Sequence, residues 1–200
     1  MKLYSVIISG GLIVSFLLQL VIPGYTDAFV LNSKAYYEPW RFVTSIFLHS
    51  GITHLIYNLF ALILFGLIFE KITSSNKFIL VFFVTGVVAN LIAVNFYPSS
   101  LGASGAIFGI IGAVTIIRPF IIIWAFGLPM PIIVATFLWA AGDILYTFIP
   151  TNVGTIAHLS GLFAGLTLGI FFRKKTVVTK TAPVRISEEY MLSWEDHYLK

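Results

Sequence analysis

The stretch "LGASGAIFGIIGA", residues 101–113, is an apolar run that carries four glycines and a single hydroxyl, that of Ser104. Small residues spaced in this way in an apolar run let helix backbones approach closely inside a membrane. Ser104 is therefore either a small residue at a contact between helices or a nucleophile placed inside a membrane.

The composition of the chain identifies an integral membrane protein. Of its 200 residues, 58% are hydrophobic and 10% are charged, and the mean hydropathy is +0.98. A soluble domain has about half apolar and a quarter charged residues. No cysteine is present, which excludes disulfides and thiolate metal sites. The net charge of +4 comes from residues between apolar runs and in the tail, so no nucleic-acid partner is predicted.

Six apolar segments predict an all-α membrane protein, a bundle of six transmembrane helices. The segments are residues 3–22, 53–69, 78–96, 104–118, 130–148 and 154–172. The first is too long for a signal peptide and lacks a cleavage motif. Residues 120–126 are apolar but too short to cross, and we expect an interfacial or packed loop there. Residues 1–172 thus form one membrane domain, and 173–200 a polar cytoplasmic tail.

The positions of lysine and arginine predict the orientation of the chain. With the N-terminus inside, nine of the basic residues up to Arg185 lie on the inner side and two on the outer side. The inner ones are Lys2, Lys71, Lys77, Arg118, Arg173, Lys174, Lys175, Lys180 and Arg185, and the outer ones are Lys34 and Arg41. Cytoplasmic segments carry an excess of such residues, so both termini are expected in the cytoplasm of a multi-pass protein of the cell membrane.

Four polar side chains on three helices fall in one layer of the membrane. A helix rises 1.5 Å per residue, which puts Ser104 roughly 21 Å above the inner boundary marked by Arg118. The same count puts His158 at roughly 22 Å, Asn58 at roughly 20 Å and His54 at roughly 25 Å. Polar residues inside a membrane normally face the bundle or a wet cavity. A shared polar site in the outer half is therefore expected.

Two glycine stripes could bring Ser104 and His158 together. On the fourth segment the stripe is Gly105, Gly109 and Gly112, and on the sixth it is Gly161 and Gly165, continued by Gly169. Small residues at four-residue spacing let helix backbones approach closely. If these stripes meet, the Ser104 hydroxyl comes within reach of the His158 imidazole.

This layer contains the groups that nucleophilic catalysis needs. A serine becomes nucleophilic when a neighbouring histidine takes its proton. His54, Asn58 and the Ser104 N–H are suitable donors to an oxyanion, and Gly102 and Gly105 keep the backbone around the hydroxyl uncrowded. Such chemistry requires no metal or cofactor.

Other residues keep more than one interpretation. His49 lies at the mouth of the site, where a structural hydrogen bond is the simpler assignment. Phe108 is one turn from Ser104 and could pack against His158. Asp143, on the fifth segment, either caps or pairs at its helix end or orients His158 as a third acid. Trp40 and Arg41 suggest an interfacial anchor.

Taken in order, these motifs resemble the rhomboid family of intramembrane serine proteases. They are Trp40-Arg41, His49-x4-His54-x3-Asn58, Gly102-Ala103-Ser104-Gly105 with Phe108-Gly109, and Ala157-His158-x2-Gly161-x3-Gly165. The resemblance covers about residues 40–169. It implies a six-helix core, a Ser104–His158 dyad without a third acid, and an oxyanion hole from His54, Asn58 and the Ser104 amide. It also implies that the substrates are transmembrane segments of other proteins in the lipid bilayer.

Two other classes of function also fit a polar layer in a membrane. One is a transporter or channel, although the chain is short and no paired inverted halves are visible. The other is a catalytically silent membrane chaperone that binds helices in the same cavity.

Overall fold

The structure is a computed structural model that describes residues 2–149, 153–173 and 196–198. Its described part is mostly helical and contains eight α-helices of four or more residues. They are α1 (Tyr4–Val21), α2 (Tyr25–Phe29), α3 (Arg41–Thr44), α4 (Ile52–Ile72), α5 (Ser75–Ala93), α6 (Ser104–Ile117), α7 (Ile132–Thr147) and α8 (Thr155–Phe172). Most of the predicted tail, 173–200, lies outside the described residues.

The long helices correspond to the apolar segments of the sequence. Among the described residues, α1, α4, α5 and α8 are long and apolar enough to cross a membrane, whereas α6 and α7 are shorter apolar helices. The observed ends differ from the expected ones by at most about three residues, because fraying and caps move a helix end by a turn or less. A membrane-type helical bundle is therefore confirmed, and six crossings remain a prediction.

One element between α6 and α7 is not helical, and the expectation of a loop at residues 120–126 is incomplete. Strands β1 (Ile122–Ala125) and β2 (Leu128–Pro131) form an antiparallel hairpin, in which Ala125 pairs with Leu128. Phe126 and Gly127, which connect the strands, both have positive φ, as a two-residue hairpin turn requires. In β1, burial alternates along the strand, so Ile123 and Ala125 join the core.

Helix α6 is the centre of the bundle. Ten of its fourteen residues are buried, and it contacts α4, α5, α7 and α8. In α7, by contrast, the buried residues are Ile132, Ala135 and Thr136, all in its first two turns. The helix that begins with Ser104 is thus held on several sides, while the second half of α7 lies at the edge of the bundle.

A buried arginine organises the segment between α1 and α4. Arg41 is 3% exposed, and its Nη1 donates to the carbonyl oxygens of Asp27 and Val30, each at 2.8 Å. Its Nε pairs with the carboxylate of Glu38. The interpretation of Arg41 as an interfacial anchor is therefore wrong, because its buried guanidinium donates hydrogen bonds to backbone carbonyls of the segment between α1 and α4. Trp40 beside it is half-exposed.

Candidate active site

The Ser104 hydroxyl and the His158 imidazole meet at the same end of two adjacent helices. Ser104 is the first residue of α6, and His158 lies in the first turn of α8. Their Oγ and Nε2 atoms are 2.8 Å apart, which is a full hydrogen bond. Both residues are partly exposed, so the pair is not sealed inside the protein.

Contact between glycine backbones makes this short distance possible. A Cβ atom added to Gly161 would lie 2.0 Å from the carbonyl oxygen of Gly105, and one added to Gly165 would lie 1.9 Å from that of Gly109. Neither oxygen belongs to a flexible side chain, so no side chain can move to make room. The two stripes thus face each other, and α6 and α8 approach closely enough for Ser104 to reach His158.

The His158 ring is held from two further directions. The Phe108 ring stacks on it, with centroids 4.5 Å apart and an interplanar angle of 5°. On the edge away from Ser104, Nδ1 lies 3.2 Å from Oδ2 and 3.3 Å from Oδ1 of Asp143. Ser104, His158 and Asp143 therefore form a chain of serine hydroxyl, imidazole and carboxylate.

His54 and Asn58 share one face of α4 near this chain. The Nδ1 atom of His54 lies 3.1 Å from the Ser50 hydroxyl, and its Nε2 side faces Gly102, two residues before Ser104. Asn58 is buried, and its Nδ2 donates to the His54 carbonyl at 2.8 Å. An amide nitrogen has two N–H groups, so Asn58 keeps one donor for a ligand.

Gly102 has a conformation that suits glycine. Its φ is +121°, and an added Cβ would lie 2.8 Å from Cε1 and 3.0 Å from Nε2 of His54. Its N–H donates to the carbonyl of Ser45 at 2.9 Å. A side chain here would strain the backbone and displace the His54 ring from the start of α6.

His49 packs beneath His54 in the loop that precedes α4, outside the spanning helices. The two rings are 5.1 Å apart in an edge-to-face arrangement, and His49 is 2% exposed. Burial, and secondarily the neighbouring His54, lower the pKa of His49 to about 4. His49 is therefore neutral at physiological pH.

Gln19 positions the loop that carries His49, a role for which the sequence gives no motif. Its amide oxygen accepts from the His49 backbone N–H at 2.9 Å, and its Nε2 donates to the His49 carbonyl at 3.1 Å. A glutamine within an apolar helix was the available signal, since such residues normally find a partner in the bundle.

No cluster of three or more histidine, aspartate or glutamate side chains suited to a metal ion occurs in the described part of the chain. The site brings together a serine hydroxyl, an imidazole, a carboxylate and several hydrogen-bond donors. In chemical terms, this arrangement can transfer a proton from a serine to a histidine and stabilise a developing negative charge nearby.

Comparison with known proteins identifies the class to which this fold and site belong. The model of the Rhomboid domain matches residues 36–175, which include Ser104, His158, His54 and Asn58. The chain belongs to the rhomboid family, a family of intramembrane proteases that also contains inactive members.

Several curated relatives are identical to this chain at about a third of the aligned residues. The rhomboid-family protein YdcA of Bacillus subtilis (strain 168) is 33% identical over 144 residues, which are 69% of each chain. The rhomboid protease GluP of the same organism is 33% identical over 132 residues, 64% of this chain and 25% of GluP. Rhomboid-like protease 3 of Toxoplasma gondii is 30% identical over 162 residues, 79% of this chain and 59% of that protein. Apart from YdcA, the chain matches less than two thirds of the length of these relatives.

Proposed function

We propose that the protein is an intramembrane serine endopeptidase that cleaves transmembrane segments of other membrane proteins. Ser104 is the nucleophile and His158 is the general base. The observation that carries the proposal is the 2.8 Å contact between Ser104 Oγ and His158 Nε2 in a partly exposed site. Membership of the rhomboid family supports the same reaction.

The reaction begins with proton transfer from Ser104 to His158. Oγ attacks the scissile carbonyl carbon, and the resulting oxyanion accepts hydrogen bonds from His54, Asn58 and the Ser104 N–H. This N–H is available because the first N–H groups of a helix have no acceptor within the helix. His158 then protonates the leaving amine, and water hydrolyses the acyl-enzyme in a second round of the same proton transfers.

The decisive experiment is cleavage of a single-pass substrate by the protein reconstituted in lipid vesicles. Wild type should release two fragments, and Ser104→Ala or His158→Ala should lower the rate by about 10³-fold or more, because neither group works without the other. Ser160→Ala is a matched control, since Ser160 bonds only the Ile156 carbonyl of its own helix among the described contacts. Cleavage that persists in Ser104→Ala would refute the nucleophile assignment.

A silent helix-binding protein is the second candidate function. The observation in its favour is the 38% identity over 79 residues with inactive RHOMBOID-like protein 8 of Arabidopsis thaliana. A silent chaperone would retain the substrate helix in crosslinking without producing fragments in wild type or in either variant. A transporter would instead move a solute across the vesicle membrane.

We further propose that the protein resides in the cell membrane with both termini in the cytoplasm. The excess of lysine and arginine on one side of the bundle supports this orientation. The active site then lies in the outer half of the bilayer, and substrates are cut near their outer ends.

A further inference from the structure

We infer that Asp143 is a positioning residue that acts through His158, while Ser104 and His158 carry out the chemistry. This inference rests on the proposed function. The carboxylate lies 3.2 Å and 3.3 Å from Nδ1 of His158, on the ring edge opposite to Ser104. It touches neither the nucleophile nor the oxyanion donors, so its effect passes through the imidazole.

The first effect of Asp143 is on the tautomer of His158. A neutral imidazole carries one N–H, and the other nitrogen is the acceptor. For Nε2 to take the Ser104 proton, the hydrogen must sit on Nδ1. A carboxylate accepts hydrogen bonds and cannot donate when ionised, so Asp143 favours the Nδ1–H form. The residue thereby keeps the lone pair of the base directed at the serine.

The second effect is on the charge that appears during the reaction. When His158 takes the proton, it becomes a cation next to the Asp143 carboxylate. The two side chains are 13% and 12% exposed, so water screens their attraction less than it does at a surface. Asp143 therefore stabilises the protonated base in the transition state.

The surroundings of Asp143 also favour this assignment. A carboxylate in a membrane helix is costly unless it is paired. Within the described residues no lysine or arginine forms an ion pair with Asp143, whereas Nδ1 of His158 lies within hydrogen-bond distance of its carboxylate. His158 is thus the partner that offsets the cost of placing the Asp143 carboxylate within a membrane helix.

A purely structural tie between α7 and α8 is the competing explanation. The buried residues of α7 lie near its start, and its other end is joined to α8 by polar contacts. One is Asp143 with His158, and another is Thr147 Oγ1 with Thr155 Oγ1 at 2.9 Å. Thr147→Val removes this second contact, together with the bond from Thr147 Oγ1 to the Asp143 backbone carbonyl of the same helix. It changes the shape little and leaves the Asp143 carboxylate and His158 in place, which makes it the matched control.

The test measures kcat and KM for wild type, Asp143→Asn, Asp143→Glu and Thr147→Val in vesicles with a single-pass substrate. Asp143→Asn should lower kcat roughly 10- to 100-fold with little change in KM, because the Nδ1–H tautomer and the imidazolium cation lose their support while the substrate still binds. Asp143→Glu should recover part of the loss, and Thr147→Val should keep kcat near that of wild type. An Asp143→Asn enzyme within twofold of wild type overturns the inference, as does an equal loss in Thr147→Val.

A second measurement does not depend on cleavage. In protein labelled with ¹⁵N-histidine, the His158 signals, assigned by their loss in His158→Ala, should report the Nδ1–H tautomer in wild type and a mixture in Asp143→Asn. A wild-type His158 in the Nε2–H form overturns the inference even if a variant fails to fold. If the wild-type protein does not cleave the substrate but His158 is in the Nδ1–H form, the proposed function fails while the contact that positions His158 is supported.

Discussion

At the scale of single residues, the proposed oxyanion donors on α4, His54 and Asn58, are supported by contacts of their own. The Ser50 hydroxyl meets Nδ1 of His54, which leaves Nε2 directed toward Gly102 and the start of α6. Asn58 is fixed by its bond to the His54 carbonyl. Both donors are therefore oriented before a substrate arrives, which is the condition under which an oxyanion hole is effective.

We expect loss of either donor to slow the reaction while the protein stays folded. His54→Ala or Asn58→Ala should lower kcat by about 10²-fold, the usual effect of removing one oxyanion donor. The measurement is cleavage in vesicles, with melting temperature as a check on folding. Tyr57→Phe is the control, because Tyr57 lies on the same helix and is largely exposed. Unchanged kcat in both His54→Ala and Asn58→Ala would remove them from the mechanism.

Single residues also show how much of the site is predictable from the sequence. Residue type and depth suggested that His54, Asn58, Ser104 and His158 share one layer. The same reasoning left Asp143 undecided, because the rotation of α7 relative to α8 depends on packing along both helices. In the structure, the Asp143 carboxylate lies beside Nδ1 of His158.

At the scale of elements, the contact between α6 and α8 sets the geometry of the site. The glycine backbones touch about one and two turns after His158 on α8, and one and five residues after Ser104 on α6, so any separation of the helices lengthens the distance between Oγ and Nε2. The spacing of the stripes was visible in the sequence, but which stripes meet was not, since Gly109 also contacts Thr85 of α5.

A methyl group at this contact should therefore damage activity from a distance. Gly165→Ala lies seven residues, roughly 10 Å along the helix, from His158. We expect it and Gly161→Ala to lower stability by about 1–3 kcal/mol and to reduce kcat, because the added Cβ overlaps a backbone oxygen. Thermal unfolding in detergent and cleavage in vesicles would measure the two effects.

Gly10→Ala provides the control for both substitutions. Gly10 lies in α1, and a Cβ there has nothing within 4 Å. This variant should be as stable as wild type or slightly more so, since alanine is the better helix former. If Gly161→Ala and Gly165→Ala behave like Gly10→Ala, the close backbone contact does not determine the site.

The hairpin formed by β1 and β2 could not be predicted from hydropathy. Residues 120–131 are apolar throughout, so hydrophobicity alone could not separate a strand from a packed loop. The Phe126-Gly127 turn was the available local signal, because Gly127 tolerates positive φ. Burial of Ile123 and Ala125 against the helices then stabilises β1.

At the scale of the whole molecule, one buried carboxylate joins three helix ends. Glu70, in the last turn of α4, accepts from the backbone N–H groups of Tyr4 at 3.2 Å and Ser5 at 2.7 Å. It also accepts from the Ser75 hydroxyl at 2.6 Å. The start of α1, the end of α4 and the start of α5 therefore lie together, in agreement with the placement of Lys2, Lys71 and Lys77 on one side.

Orientation can be tested directly because the chain lacks cysteine. Asn76→Cys and Lys34→Cys introduce single exposed thiols near opposite ends of the bundle. In intact cells, a membrane-impermeant maleimide should label Cys at position 34 and should label position 76 only after the membrane is opened. The reverse pattern would contradict the predicted cytoplasmic termini.

For the molecule as a whole, the sequence predicts that it is a membrane protein, where its long helices begin and end, and to which family it belongs. These features depend on hydropathy and local spacing, which a sequence records. The fold of residues 22–51 was not predictable, because Arg41 and Gln19 act through long-range bonds to backbone carbonyls. Such bonds leave no periodic pattern in the sequence.

Covalent labelling of Ser104 tests the central claim most directly. A fluorophosphonate reacts with a serine only when a base has activated its hydroxyl. Mass spectrometry of labelled wild type should find a single adduct on Ser104, and His158→Ala should abolish it while Ser160→Ala retains it. An adduct on another serine, or labelling of Ser104 at the same rate without His158, would contradict a nucleophile activated by that histidine.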